Sequence, residues 1–190
     1  MHFFGDSHSG RLRSAWLRSQ GLPFEHSSPP ESIRGGRRAL GAGTLAEAFA
    51  SATCWHGASC PVILWLGSND LRAGESLLPP MPATVAAAVA AIAMALQSLL
   101  RGARIVIIGV PYAARFSGLL RRRADDFNSA MEATAAIPGW RFINPTAEVG
   151  GVRPSYHPDG THLAATFLEA MVQVFSVKRS HVFVSCYPKL

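Results

Sequence analysis

The sequence predicts an α/β domain built from parallel βαβ units. Two observations carry this. Short apolar runs of strand length alternate along the chain with longer segments whose apolar residues recur at helical spacing. One of those runs, Pro61-Val62-Ile63-Leu64-Trp65-Leu66-Gly67, is apolar without interruption, the pattern of a parallel strand buried on both faces. The length of 190 residues fits one domain with a sizeable core. Residues 1–177 are expected to form that domain, and 178–190 a C-terminal tail. With 48% hydrophobic and 16% charged residues, the composition excludes disorder over most of the length.

Residues 1–4, Met-His-Phe-Phe, read as a short strand. A helix is expected over 10–21, with Leu12, Ala15, Trp16 and Leu17 on one face, arginines on the other, and Gly21 at its end. Residues 22–33 are loop-rich, with room for a short strand before the prolines, and 34–38 read as a turn. Leu40, Leu45 and Phe49 suggest a helix over 39–52, weakened by two early glycines. Pro79, Pro80 and Pro82 open a long apolar helix over 83–103. Its length invites a membrane reading, but it is alanine-rich and a strand over 104–111 follows at once, which favours a buried crossover helix. Residues 119–137 form an amphipathic helix, 140–145 a last short strand, and 157–175 a turn leading into the final helix. The tail alternates apolar and polar residues, suiting an edge strand or a loose attachment.

The net charge is +6, carried largely by arginine. Such a surface attracts anions without choosing among lipid headgroups, acidic substrates and nucleic acid. Cys54, Cys60 and Cys186 are an odd, sparse set, which argues against a disulfide scaffold and leans towards a reducing compartment. Gly5 and Asp6 interrupt the first apolar run and no charged segment precedes it, so no secretory signal is read and an intracellular location is expected.

Three separated segments carry the candidate chemistry. Gly5-Asp6-Ser7 ends the first strand, Gly67-Ser68-Asn69-Asp70 ends the "VILWL" strand, and Asp159-Gly160-Thr161-His162 precedes the last helix. Locally, Gly5-Asp6-Ser7 has two readings: Asp6 and Ser7 cap the following helix, or Ser7 is a nucleophile. In an open parallel sheet, ligands bind at the carboxyl ends of strands, beside the topological switch point. Ser7, Asn69 and the Gly109-Val110-Pro111 turn all fall there.

In order and spacing, the three segments resemble the SGNH/GDSL hydrolase superfamily, which carries GDS, GxND and DxxH blocks in that sequence. The resemblance spans residues 5–162. It implies a three-layer, flavodoxin-like α/β/α sandwich around a mainly parallel sheet. It also implies a serine esterase that needs no cofactor and no metal. Ser7 would be the nucleophile, His162 its base, and Asp159 the partner that fixes the imidazole tautomer. The Ser7 N–H, a glycine N–H from a second block and the Asn69 amide would bind the oxyanion. Gly35 and Gly36 both qualify as that glycine. The chain departs from the usual pattern at His8 and Ser9. His8 is expected at the pocket rim or in solvent, and Ser9 at the helix start.

His157, Asp159 and His162 have metal-ligand types, but no further Cys/His cluster supports a metal site. Asp6 and Asp70 suit backbone hydrogen bonds that hold turns, and Trp65 suits the core. Arg121, Arg122 and Arg123 suit a solvated helix face, while Arg115 could rim the site. The leading function is hydrolysis of an acetyl, short acyl or lipid ester, with an acyl-enzyme on Ser7. A short basic domain of this kind also resembles the esterase-like domains of some eukaryotic retrotransposons. The competing reading is a basic accessory module that binds nucleic acid or anionic membrane, with a vestigial triad.

Overall fold

The computed structural model describes residues 1–21, 32–55, 60–72, 80–101, 103–113 and 116–177. Expectations for a strand in 22–31, for Arg115, for Cys186 and for the tail 178–190 lie outside these residues. Four strands form one parallel sheet: β1 (His2–Gly5), β2 (Val62–Trp65), β3 (Ile105–Ile108) and β4 (Trp140–Ile143). They lie side by side in chain order, in a register that aligns Phe4, Leu64, Ile107 and Phe142.

Ile33 adds a single parallel bridge to Gly5, whose other neighbour is Trp65 of β2. The chain therefore leaves β1 towards one side, touches it at Ile33, and crosses back to build β2 on the other side. That reversal is a topological switch point at the carboxyl end of β1, where such sheets form their ligand crevice.

Alternate strand residues face opposite layers. Phe3, Ile63, Trp65 and Ile108 pack against α1 (Ser7–Ser19) and α6 (Ala165–Val177). Phe4, Leu64 and Ile107 pack against α2 (Thr44–Cys54), α4 (Pro82–Leu99) and α5 (Gly118–Ala133). A short helix, α3 (Ser68–Arg72), follows β2 directly. The result is the three-layer α/β/α sandwich with a parallel central sheet. Phe3 and Phe4 are both fully buried, on opposite faces of the same strand. Each side chain contributes up to about 3 kcal/mol of burial.

Two boundaries differ from the sequence reading. The first helix begins at Ser7 rather than 10, because the Asp6 side chain caps it. The second begins at Thr44 rather than 39. Its N-cap, Gly43, sits at φ 87°, and this left-handed approach keeps the preceding residues out of the helix. By length and composition α4 could cross a membrane. In the fold its Val85, Val89, Ile92 and Leu96 are buried in the core, as expected of a crossover helix. Cys54 and Cys60 are both free thiols.

Candidate active site

Strand β1 delivers Ser7 to the switch point through a glycine that nothing else could replace. A Cβ on Gly5 would stand 2.2 Å from the Trp65 carbonyl oxygen and 2.4 Å from Ser9 Oγ. Asp6 then caps α1, accepting the His8 N–H at 2.9 Å, and Ser7 becomes the first helical residue. Both readings of the motif are thus compatible: Asp6 is the cap, and Ser7 stands half-buried at a helix N-terminus. The first N–H groups of a helix have no intrahelical acceptor, so the Ser7 N–H points out of the ladder.

The third motif lies in a turn closed by its own backbone. His157 N–H donates to the His162 carbonyl at 2.8 Å, Gly160 N–H to the His157 carbonyl at 2.9 Å, and Ala164 N–H to the Ser155 carbonyl at 2.9 Å. Asp159 Oδ1 accepts the N–H groups of Thr161 (2.8 Å) and His162 (2.9 Å). Its Oδ2 meets His162 Nδ1 at 2.9 Å, and His162 Nε2 lies 3.0 Å from Ser7 Oγ. The backbone N–H groups of His162 and Thr161, and then the His162 ring, hold the Asp159 carboxyl well below the usual carboxylate range. An ionised Asp159 can only accept, so His162 carries its proton on Nδ1 and Nε2 is left to accept from Ser7 O–H.

Two further groups share Asp159 Oδ2: His157 Nδ1 at 3.0 Å and Arg11 Nη2 at 3.3 Å. Sequence reasoning placed His157 only as a turn neighbour and did not single out Arg11, whose position on the first turns of a helix resembles any solvated arginine. Arg72 of α3 donates to Thr161 Oγ1 at 3.2 Å, which ties the second motif to the third. Among the described residues, no group of three or more His, Cys, Asp or Glu side chains is arranged to hold a metal ion.

In the second motif, Gly67 has φ 108°, and a Cβ there would stand 2.9 Å from the Phe127 ring. Asp70 accepts the N–H groups of Ala39 (2.7 Å) and Leu40 (2.9 Å), which pins the loop after the glycine pair. Asn69 Nδ2 donates to Asp6 Oδ2 at 3.2 Å and to the Arg37 carbonyl at 3.1 Å. Its two hydrogens are therefore both engaged, and Asn69 ties the nucleophile turn to the glycine loop. Gly35 and Gly36 lie exposed in a turn closed by Arg37 N–H on the Arg34 carbonyl at 3.2 Å. Gly36, at φ 75°, has a backbone need for glycine, whereas Gly35 has no positive φ.

His8 corrects the solvent expectation. It is buried, stacked on Trp65 at 5.1 Å between ring centroids, with the His162 ring 5.0 Å away. Burial first, and then the nearby charge of His162, pushes its pKa down to about 3. It stays neutral near neutral pH and is no rival base. Ser9 lies inside α1 with Oγ on the Phe4 carbonyl at 3.3 Å, so it is a packing residue. Trp65 is fully buried in the core. Arg121 and Arg122 are exposed, while Arg123 is half-buried and bonds the Pro80 carbonyl.

The His8 shift has a testable sign. A histidine whose folded pKa is depressed stabilises the fold above its ordinary value of 6.5, and that stability is lost as pH falls towards about 3. Asp6, fully buried and pushed up to about 7 by burial, acts in the opposite direction, so wild-type stability alone does not isolate either group. The comparison with His8→Phe does, because Asp6 is common to both. The melting temperature of His8→Phe relative to wild type is expected to rise by several degrees between pH 6.5 and 4. A difference that stays constant over that range contradicts a buried, neutral His8.

Arg37 is a residue the sequence reading passed over. It sits in the Arg34-Gly35-Gly36-Arg37-Arg38 run, where it looks like turn charge. In the fold its side chain is 2% exposed and paired with Glu47 Oε2 at 2.9 Å, with the guanidinium 4.3 Å from the Phe4 ring centroid.

No protein-family model and no curated protein matches the sequence. Solved structures do. Est24, a carbohydrate acetylesterase from Sinorhizobium meliloti, superposes with TM-score 0.66 at 16% identity over 95% of this chain and 98% of its own. A GDSL-like lipase from Bacteroides thetaiotaomicron gives 0.68 at 16% identity over 93% and 85%. The aryl esterase of M. smegmatis gives 0.63 at 14% identity over 95% and 98%. With its parallel sheet, its switch point at β1 and these near full-length superpositions, the chain has the SGNH/GDSL hydrolase fold.

Proposed function

We propose that the chain is a serine ester hydrolase that cleaves a carboxylic ester through an acyl-enzyme on Ser7. The observation that carries this reading is the unbroken hydrogen-bond chain Ser7–His162–Asp159, assembled across 155 residues of sequence at 3.0 and 2.9 Å. A serine hydroxyl is a weak nucleophile until a base takes its proton. His162 Nε2 accepts that proton as Ser7 Oγ attacks the ester carbonyl, and Asp159 stabilises the imidazolium formed.

The oxyanion then sits against the Ser7 N–H, the Gly35–Gly36 turn and Asn69. For this, Asn69 exchanges its longer contact, 3.2 Å to Asp6 Oδ2, and keeps its bond to the Arg37 carbonyl. Collapse of the tetrahedral intermediate breaks the C–O bond, and His162 protonates the departing alcohol. Water, deprotonated by His162, attacks the acyl-enzyme and releases the carboxylic acid together with Ser7.

Substrate room lies on the same sheet edge. A cavity of about 470 Å³ opens beyond β3 and β4, lined by Tyr112, Thr146 and Tyr156 with Arg121, Glu148 and Arg153 around them. Acetyl and short acyl esters are the proposed substrates. The exposed Arg34, Arg38, Arg121 and Arg122 favour a second reading, a basic module for anionic lipid or nucleic acid.

The test combines a p-nitrophenyl ester series of increasing acyl length with fluorophosphonate labelling and peptide mapping. Turnover of the short esters and a single adduct on Ser7 are expected. Absence of both, or an adduct on Ser9, refutes the hydrolase reading. Steeply salt-dependent binding of nucleic acid or anionic vesicles by such an inactive protein would favour the second.

A further inference from the structure

The groups proposed to meet the oxyanion come from three segments, and one residue joins them. Arg37 Nη1 donates to the Gly5 carbonyl at 3.0 Å and to the Ser32 carbonyl at 2.6 Å. Gly5 immediately precedes the Asp6-Ser7 turn, and Ser32 enters the glycine loop. The Arg37 N–H closes that loop on the Arg34 carbonyl at 3.2 Å, and the Arg37 carbonyl accepts Asn69 Nδ2 at 3.1 Å. Its Nε and Nη2 are held by Glu47 Oε2 of α2 at 3.0 and 2.9 Å, so the guanidinium is fixed from behind by a helix of the scaffold. Arg34 N–H adds a second bond to the Gly5 carbonyl at 3.0 Å.

We infer that Arg37 is the positioning residue that sets the spacing of the Ser7 N–H, the Gly35–Gly36 turn and the Asn69 amide. The inference rests on the hydrolase reading above. The fork of the guanidinium is what suits it. One face reaches two carbonyls from different segments while the other engages a carboxylate, a geometry that a lysine ammonium cannot reproduce. Preorganised donors act only when their spacing matches the oxyanion, and a shift of about 1 Å costs about 10² in rate. Arg37 does not touch Ser7 Oγ, His162 or Asp159 in any hydrogen bond, so its loss should leave the proton-transfer chain as it is.

The test uses two variants of the whole chain. Arg37→Lys keeps a charge opposite Glu47. Arg37→Met with Glu47→Met removes both charges together, which leaves no buried charge unpaired and protects folding. On p-nitrophenyl acetate, both are expected to lose about 10- to 100-fold in kcat with KM within about twofold. The pH at which kcat falls on the acid side should stay at the wild-type value, since it reports His162. A peptide boronic acid that mimics the tetrahedral intermediate should weaken by the same factor as kcat.

A kcat within twofold of wild type in both folded variants overturns the inference. So does an equal loss spread over kcat, KM and the acid limb, or failure of both variants to fold, since each assigns Arg37 a general structural role. If wild type itself turns over no ester and takes no fluorophosphonate, the hydrolase reading has failed instead.

Discussion

Ser7→Ala is expected to lower kcat for p-nitrophenyl acetate by about 10⁶ and to abolish fluorophosphonate labelling. The hydroxyl is the only group within reach of His162 Nε2, at 3.0 Å, that can form the acyl-enzyme, and the substitution leaves the rest of the turn unchanged. Asp6 still caps α1 through the His8 N–H, and Gly5 still fits against Trp65. The melting temperature should therefore stay close to wild type. A thermal melt beside the rate measurement separates loss of chemistry from loss of fold. Residual turnover within tenfold of wild type, or labelling that survives the substitution, would sink the assignment. The nearest other hydroxyl, Ser9, is buried on the Phe4 carbonyl and cannot take over.

Asp159→Asn should lower kcat by up to about 10⁴, through the tautomer rather than through charge alone. Asp159 Oδ1 is occupied by two backbone N–H groups, so an asparagine would keep its carbonyl oxygen there and turn its NH₂ towards His162 Nδ1. A donor facing Nδ1 drives the imidazole proton to Nε2, where it points at Ser7 Oγ and blocks proton acceptance. His157 and Arg11, which share Oδ2, meet a donor instead of an acceptor in the same variant.

In wild type the acid limb of the rate profile belongs to His162 alone, because Asp159 stays ionised far below it. His157→Ala should change kcat by less than about tenfold, and chelators should leave the rate unaltered. Pre-steady-state and steady-state rates of the wild type and of these two variants, with and without chelator, decide the matter. Inactivation by chelator with equal dependence on His157 and His162 would replace the serine mechanism with a metal site.

How much of this was legible in the sequence differs from residue to residue. Val62–Trp65 reads as a doubly buried strand because a parallel strand covered on both faces needs no polar alternation, and local composition carries that signal. Ser7, Asn69, Asp159 and His162 were legible because each lies at an element boundary, where a parallel fold puts its carboxyl edge. The helix starts were less so. Asp6 capping and the left-handed Gly43 are decided by one or two backbone angles, to which hydrophobic periodicity is blind.

The sequence by itself therefore determined the alternation of strands and helices, the parallel sheet, and which residue types meet at its edge, since these follow from local pattern and chain direction. Only the tertiary structure decided that His8 is buried against Trp65 and His162, that both hydrogens of Asn69 are engaged, and that Arg37 bonds Gly5 and Ser32 while its neighbours Arg34 and Arg38 stay exposed. The physical reason is that burial and hydrogen-bond partners depend on what packs across the layers. Five positions of one short basic turn look alike until β1, α2 and α3 close around one of them.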